Sequence, residues 1–255
     1  MKVAVITGAS SGMGREAARM IDRIYEDGID EIWLIARRLE RLQKVADVLQ
    51  HKSYLLPCDL SNESDFAKLK LEFDLATPEI VMLVNAAGFG IVGDFADSDM
   101  SEQDGMIKTN CEALVKMTHL ALPFMPDNSR IINFASSAAF VPQAGFSIYA
   151  ATKSFVLSFS RSLNTELSKR NISVTAVCPG PVETEFFDIA EKNGTNFKFK
   201  KLFMAKPEAV VSKALYDSYK RNTMSVYGLP MQAFELTTKL VPHDAILYIM
   251  KRLKK

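Results

Sequence analysis

Three cysteines, Cys58, Cys111 and Cys178, are scattered over 255 residues with no Cys-x-x-Cys or metal-ligand spacing. Their odd number and wide separation exclude a disulfide framework and a cysteine-built metal site. They read as buried thiols in a reducing compartment. Charge of one sign is not in excess either: 31 Lys+Arg against 30 Asp+Glu leave a net charge of +1. No global basic field therefore points to nucleic acid. No apolar run is long enough to cross a bilayer, and no Pro/Gly/Ser-rich linker, repeat or low-complexity tract divides the chain. Met1 leads within two residues into a strand pattern, which leaves no room for a signal peptide. The expectation is one cytoplasmic domain over residues 1–255, with 48% hydrophobic residues supplying a large core.

Strand and helix patterns alternate along the whole chain. Short apolar runs at 3–6, Glu31–Ala36, 53–56, 80–84, 131–134 and 172–177 read as buried strands. The segments between them are helix-length and amphipathic. This alternation predicts an α/β fold, a doubly wound Rossmann-type parallel sheet with helices on both faces. Ligands of such sheets bind beyond the carboxyl ends of the strands, where the strand order reverses.

The first strand runs into Thr7-Gly8-Ala9-Ser10-Ser11-Gly12-Met13-Gly14, and a helical pattern follows with Ala17, Ala18, Ile21 and Ile24 on one face. Strand, glycine turn and helix make a phosphate-binding start, because backbone N–H groups and the positive helix end meet a pyrophosphate. The Gly-x-x-x-Gly-x-Gly spacing departs from the commoner Gly-x-Gly-x-x-Gly fingerprint. Further on, Tyr149 and Lys153 stand four residues apart. On a helix they share one face, and an ammonium there lowers the phenol pKa toward working pH. Such a phenol gives a proton to a carbonyl oxygen or takes one from an alcohol.

These motifs, with Asn85-Ala86-Ala87-Gly88, Asn110, Ser136-Ser137 and Pro179-Gly180 in order between and after them, resemble the short-chain dehydrogenase/reductase family. The resemblance implies Tyr149 as general acid or base and Lys153 as its tuner and a ribose ligand. Ser137, chosen over Ser136, would hold the substrate oxygen. Asn110, on a helix expected over 104–122, would anchor a relay water; the alternative is that it bonds nearby backbone. The implied cofactor contacts are Gly8, Ser10, Ser11, Gly12, Met13 and Gly14 in the turn, then Arg37, Arg38, Asp59 and Leu60. Asn85, Ala86, Ala87, Gly88, Tyr149, Lys153, Pro179, Gly180, Val182 and Thr184 complete the set. No metal site is expected. The cofactor part would cover about residues 1–135 and the catalytic part about 136–255.

The second strand ends at Ala36, where NAD-type members carry an acid, and Arg37-Arg38 follow. Without that carboxylate to repel it, and with a guanidinium fork to bind it, a 2′-phosphate is favoured, so the cofactor expectation is NADP(H) over NAD(H). Asp59 either touches the adenine amino group or caps the next helix. A lid is implied over 183–206, where Phe186, Phe187, Phe197, Phe199 and Phe203 mix with Lys192, Lys198, Lys200 and Lys201. Such a lid either favours a small hydrophobic carbonyl or alcohol substrate, or simply packs its phenylalanines onto the body. The tail departs from the family pattern, with Ile246, Ile249, Met250 and Leu253 at helical spacing before a basic end. It is read as a helix docked on the body or a partner, with peripheral membrane contact as a minor alternative. A homodimer is expected through the helices over 104–122 and 147–169, whose apolar residues cover a wide arc. The rival functions are an NADP-binding regulatory protein and a non-redox epimerase or isomerase on the same frame.

Overall fold

The computed structural model describes residues 1–25, 28–190 and 204–253. Within them run β1 (Lys2–Thr7), α1 (Gly12–Ile24), β2 (Glu31–Ala36), α2 (Leu39–Ala46), β3 (Lys52–Pro57), α3 (Glu63–Ala76) and β4 (Glu79–Asn85). Then come α4 (Met100–Ile107), α5 (Ala113–Ala121), β5 (Arg130–Phe134), α6 (Ser147–Glu166), β6 (Ser173–Val177), α7 (Phe186–Ala190) and α8 (Pro207–Tyr219). The chain closes with β7 (Met224–Ser225), α9 (Leu229–Leu240) and α10 (His243–Leu253). All strand pairs are parallel, in the order β3-β2-β1-β4-β5-β6-β7. The order reverses between β1 and β4, which places a crevice at the ends of those two strands.

Alternation along each strand feeds two cores. Ala4, Ile6, Leu34, Val84 and Ile132 meet α1, α2 and α8 on one face. Val3, Val5, Trp33, Leu83 and Ile131 meet α3, α5 and α6 on the other. Both faces being covered explains why β1 and β2 read as unbroken apolar runs. Of the expected α1 stripe, Ala17, Ala18 and Ile21 are buried, but Ile24, in the last turn, is 59% exposed. Polar side chains cross the layers as well. Asn85 Nδ2 donates to Thr118 Oγ1 (3.1 Å) and Asn133 Oδ1 (2.9 Å), and Asn133 Nδ2 donates to Ser160 Oγ (2.9 Å). These bonds tie neighbouring strands to α5 and α6.

Two boundary expectations are corrected. The helix expected over 104–122 begins at Met100, capped by Asp99, and a π turn at Lys108–Glu112 joins α4 to α5. Asp59 does not cap α3. Asn62 does so, accepting from the backbone N–H groups of Ser64 and Asp65, while Asp59 accepts from Ser61 N (3.0 Å) and Oγ (2.7 Å).

Candidate active site

The glycine turn is shaped by β4. Gly8 and Gly12 take left-handed φ values of +65° and +52°, and a Cβ on Gly8 would lie 2.7–2.8 Å from the backbone of Ala86 and Ala87. Thr7 Oγ1 accepts from Ala86 N (3.1 Å) and Ala87 N (3.2 Å), which fixes the loop after β4 against the turn. Ser11 starts α1 with no side-chain cap, and no acid stands in the first turn. Arg15 Nε is buried beside this turn without a partner. Orphan helix N–H groups and an unpaired guanidinium nitrogen fit an anionic cofactor group.

A cavity of about 210 Å³ opens at the strand ends. Met13, Ala86, Gly88, Ser137, Tyr149, Lys153, Pro179, Gly180, Val182 and Thr184 line it, as the sequence leads one to expect. Ser136, the other serine of the pair, lines it as well, while sequence reading missed Phe134, Ala135, Ala138 and Gln143. Phe146, Phe186 and Phe187, also lining, form an aromatic wall. Phe186 and Phe187 belong to the lid that the sequence led one to expect.

Tyr149 is 7% exposed and lies stacked on Phe146, with centroids 4.2 Å apart and planes at 18°, while Phe186 leans on it at 5.4 Å. Burial pushes its phenol up to about 12, and a hydrogen bond from Ser136 opposes this. Lys153 Nζ lies 5.7 Å from the Tyr149 ring centroid and donates to the Phe134 carbonyl at 2.7 Å. Burial brings its pKa down to about 8. Desolvation is thus the main influence on the phenol, and it raises the pKa. Both serines of the pair line the cavity. Ser136 Oγ accepts from Ala138 N (3.1 Å), and Ser137 opens a 3₁₀ turn with its N–H donating to the Pro179 carbonyl (2.8 Å).

Other candidates sit outside the cavity. Asn85 turns its side chain into the core, and Leu60 packs there as well. Asn110 accepts from Phe89 N (3.0 Å) and donates to Phe89 O (2.9 Å) and Thr152 Oγ1 (3.1 Å). Its side chain thus joins the segment after β4 to α6 rather than bonding backbone of its own helix. Arg37 and Arg38 are exposed after β2, and neither side chain makes a hydrogen bond or ion pair among the described residues. Phe197, Phe199, Phe203, Lys192, Lys198, Lys200 and Lys201 of the expected lid lie outside the described residues.

Comparison with known proteins agrees with this geometry. A family model described as short chain dehydrogenase matches residues 2–194. Sulfoacetaldehyde reductase 2 of Chromohalobacter salexigens is 34% identical over 190 residues, 72% of this chain and 74% of that protein. An NADP-dependent 3-hydroxy acid dehydrogenase of Shigella flexneri is 33% identical over 205 residues, covering 79% and 81% of the two chains. A short-chain dehydrogenase from Sphingobium yanoikuyae, solved in complex with NADPH, superposes with a TM-score of 0.79 at 29% identity over 90% of this chain and 89% of that one.

Proposed function

The chain belongs to the short-chain dehydrogenase/reductase family and is an NAD(P)-dependent oxidoreductase, and from that premise we propose its finer activity. It interconverts a carbonyl and a secondary alcohol on a small hydrophobic substrate, with NADP(H) as cofactor. The observation that carries this reading is the meeting of Ser136, Tyr149 and Lys153 in one cavity beside the glycine turn. The turn and the start of α1 would hold the pyrophosphate, and Arg37 and Arg38 would take the 2′-phosphate. When bound, the nicotinamide supplies or accepts the hydride.

The proton steps belong to the protein. Ser136 and Tyr149 hold the substrate oxygen by hydrogen bonds. As negative charge develops there, Tyr149 gives up its proton, a contribution of about 10²–10⁴ in rate. The Lys153 ammonium stabilises the phenolate left behind. A phenol pushed up to about 12 holds its proton at neutral pH, the form a proton donor needs. Asn110 keeps Lys153 in place indirectly, by bracing the Phe89 backbone and Thr152 on α6.

Substrate class follows from the walls. Phe134, Phe146, Phe186, Phe187 and Val182 line the cavity, and Lys153 is the cation among its described lining residues. Lys153 is engaged by the Phe134 carbonyl (2.7 Å), so the described walls of the cavity are mainly apolar. Epimerase-type work would need a further acid–base group. His51 is paired with Asp22 (2.8 Å), and neither His119 nor His243 lines the cavity. The test is NADPH oxidation, followed by absorbance, across a panel of small alkyl and aryl ketones and charged analogues. Turnover of neutral ketones is expected; turnover of charged analogues alone would contradict the substrate class.

A further inference from the structure

Arg41 and Glu185 are 144 residues apart in sequence, yet Arg41 Nη1 donates to both carboxylate oxygens of Glu185, at 3.0 and 2.7 Å. Each partner comes from one bank of the dinucleotide crevice. Arg41 lies on α2, just beyond the end of β2, and its N–H bonds the carbonyl of Arg38. Glu185 follows Thr184, whose side chain stands 3.6 Å from where a Cβ on Gly12 would sit. Two more arginines act on the same carboxylate. The Arg41 hydrogen bond is the main influence holding the Glu185 carboxyl below its ordinary range, and the charges of Arg41, Arg38 and Arg15 add to it. Arg15 stands directly after Gly14 and has a buried Nε with no partner. Side chains from α1 and the start of α2 thus converge on an anion at the ends of β1 and β2. In this type of sheet the adenosine ribose lies at that corner.

A carboxylate is the chain's own nearest match to a phosphate: planar, anionic and an acceptor on two oxygens. We propose that Glu185 is an internal occupant of the anion site that reads the ribose 2′-phosphate, so that carboxylate and phosphate compete for Arg41. The inference rests on the NADP reading above and adds Arg41 and Glu185 as specificity determinants that cofactor motifs do not mark. Two anions in one arginine cluster repel each other, so arrival of the phosphate releases Glu185 from α2. Glu185 immediately precedes α7, whose first residue, Phe186, is the ring leaning on Tyr149. The latch therefore joins the phosphate corner to the aromatic wall of the active cavity through one short segment.

The test is calorimetric binding of 2′,5′-ADP and 5′-AMP to the full-length protein, its Glu185→Gln and Arg41→Ala variants, and the double variant. The pair is partly exposed, 36% and 46% at the two side chains, so the effect is moderate. Glu185→Gln should tighten 2′,5′-ADP by about three- to tenfold and leave 5′-AMP within about twofold. In the Arg41→Ala background the same change should do nothing, since the competitor has lost its target. If the wild type prefers 2′,5′-ADP but Glu185→Gln leaves that preference unchanged, the latch is wrong and the NADP reading stands. Weaker 2′,5′-ADP binding in Glu185→Gln would also overturn it, because the pair would then be a clasp that closes over the ligand. Equal binding of both nucleotides by wild type and variant would sink latch and NADP reading together.

Discussion

Tyr149 is buried between two rings, with its pKa pushed up to about 12 while that of Lys153 comes down to about 8. Carbonyl reduction needs the phenol protonated and the lysine charged. Its rate should hold through neutral pH and fall as the pH climbs past the lysine value toward the tyrosine value. Alcohol oxidation needs the phenolate and should rise over the same range. Initial rates in both directions from pH 6 to 11 check this; reduction that improves with alkali would contradict it. The two serines are separable in the same assay. Ser136→Ala removes a hydrogen bond to a charge-bearing centre, about 1.5–3 kcal/mol, so kcat should fall roughly ten- to a hundredfold. Ser137→Ala should change it little. Arg37→Ala should weaken NADPH by about ten- to a hundredfold and leave NADH nearly unaltered, as a lost charge-assisted phosphate contact requires. Equal affinity of the wild type for both cofactors, measured by fluorescence titration, would contradict the Ala36-Arg37 reading.

Elements hold these residues in register through buried polar contacts. Asp22 on α1 accepts from the N–H groups of Gln50 and His51 (3.0 and 2.8 Å) and from His51 Nδ1 (2.8 Å), pinning α1 to the start of β3. Burial alone would raise its carboxyl pKa, but these hydrogen bonds together hold it below the ordinary value. A depressed carboxylate contributes stability that is present above its unfolded pKa and lost as pH falls through the folded one. Asp22→Ala should therefore cost about 2–4 kcal/mol in urea unfolding at pH 7, with the difference from wild type shrinking as pH falls through the lowered carboxyl value. A variant as stable as wild type at pH 7 would refute the pin. Asp22 also shows where sequence reading stopped. Strands Glu31–Ala36 and 131–134 were legible because burial on both faces makes the pattern continuous. The glycine turn and Tyr149-x-x-x-Lys153 were legible because their spacing is itself geometry. A polar residue on a helix that caps a loop 28 residues later leaves no local pattern. The π turn at Lys108–Glu112 left none either, since one inserted residue barely disturbs helical periodicity. Ser136 and Ser137 could not be ranked by spacing because they are adjacent.

At the scale of the molecule, the expected dimer face is narrower than the sequence suggests. Val156, Leu163, Leu114, Met117 and Leu120 are spent in the chain's own core, while Phe155 (44% exposed) and Ile107 (43%) face outward. Phe155 stacks on Phe159 at 6.0 Å, a preformed apolar ridge on α6. A two-fold contact through that ridge is the prediction, and light scattering should give a dimer that Phe155→Glu converts to monomer. A wild-type monomer at micromolar concentration would contradict it. The tail turns toward the catalytic side. Phe234 of α9 meets Phe140 at 6.3 Å, and Met231 Sδ would lie 2.5 Å from a Cβ on Gly180, so α9 packs closely on the Pro179-Gly180 segment. His243 and Leu247 of α10 share a cavity of about 450 Å³ with Gln143 and the first turns of α6. Lys254 and Lys255 of the expected basic end lie outside the described residues, and no helix among the described residues is long and apolar enough to cross a membrane.

All of these scales meet in one proton. The most direct measurement is ketone-dependent NADPH oxidation by Tyr149→Phe beside wild type, with NADPH affinity measured on both. The variant keeps the ring that stacks on Phe146 and loses only the hydroxyl. The account predicts a fall of about 10²–10⁴ in turnover with NADPH binding preserved. Undiminished turnover in Tyr149→Phe would contradict it.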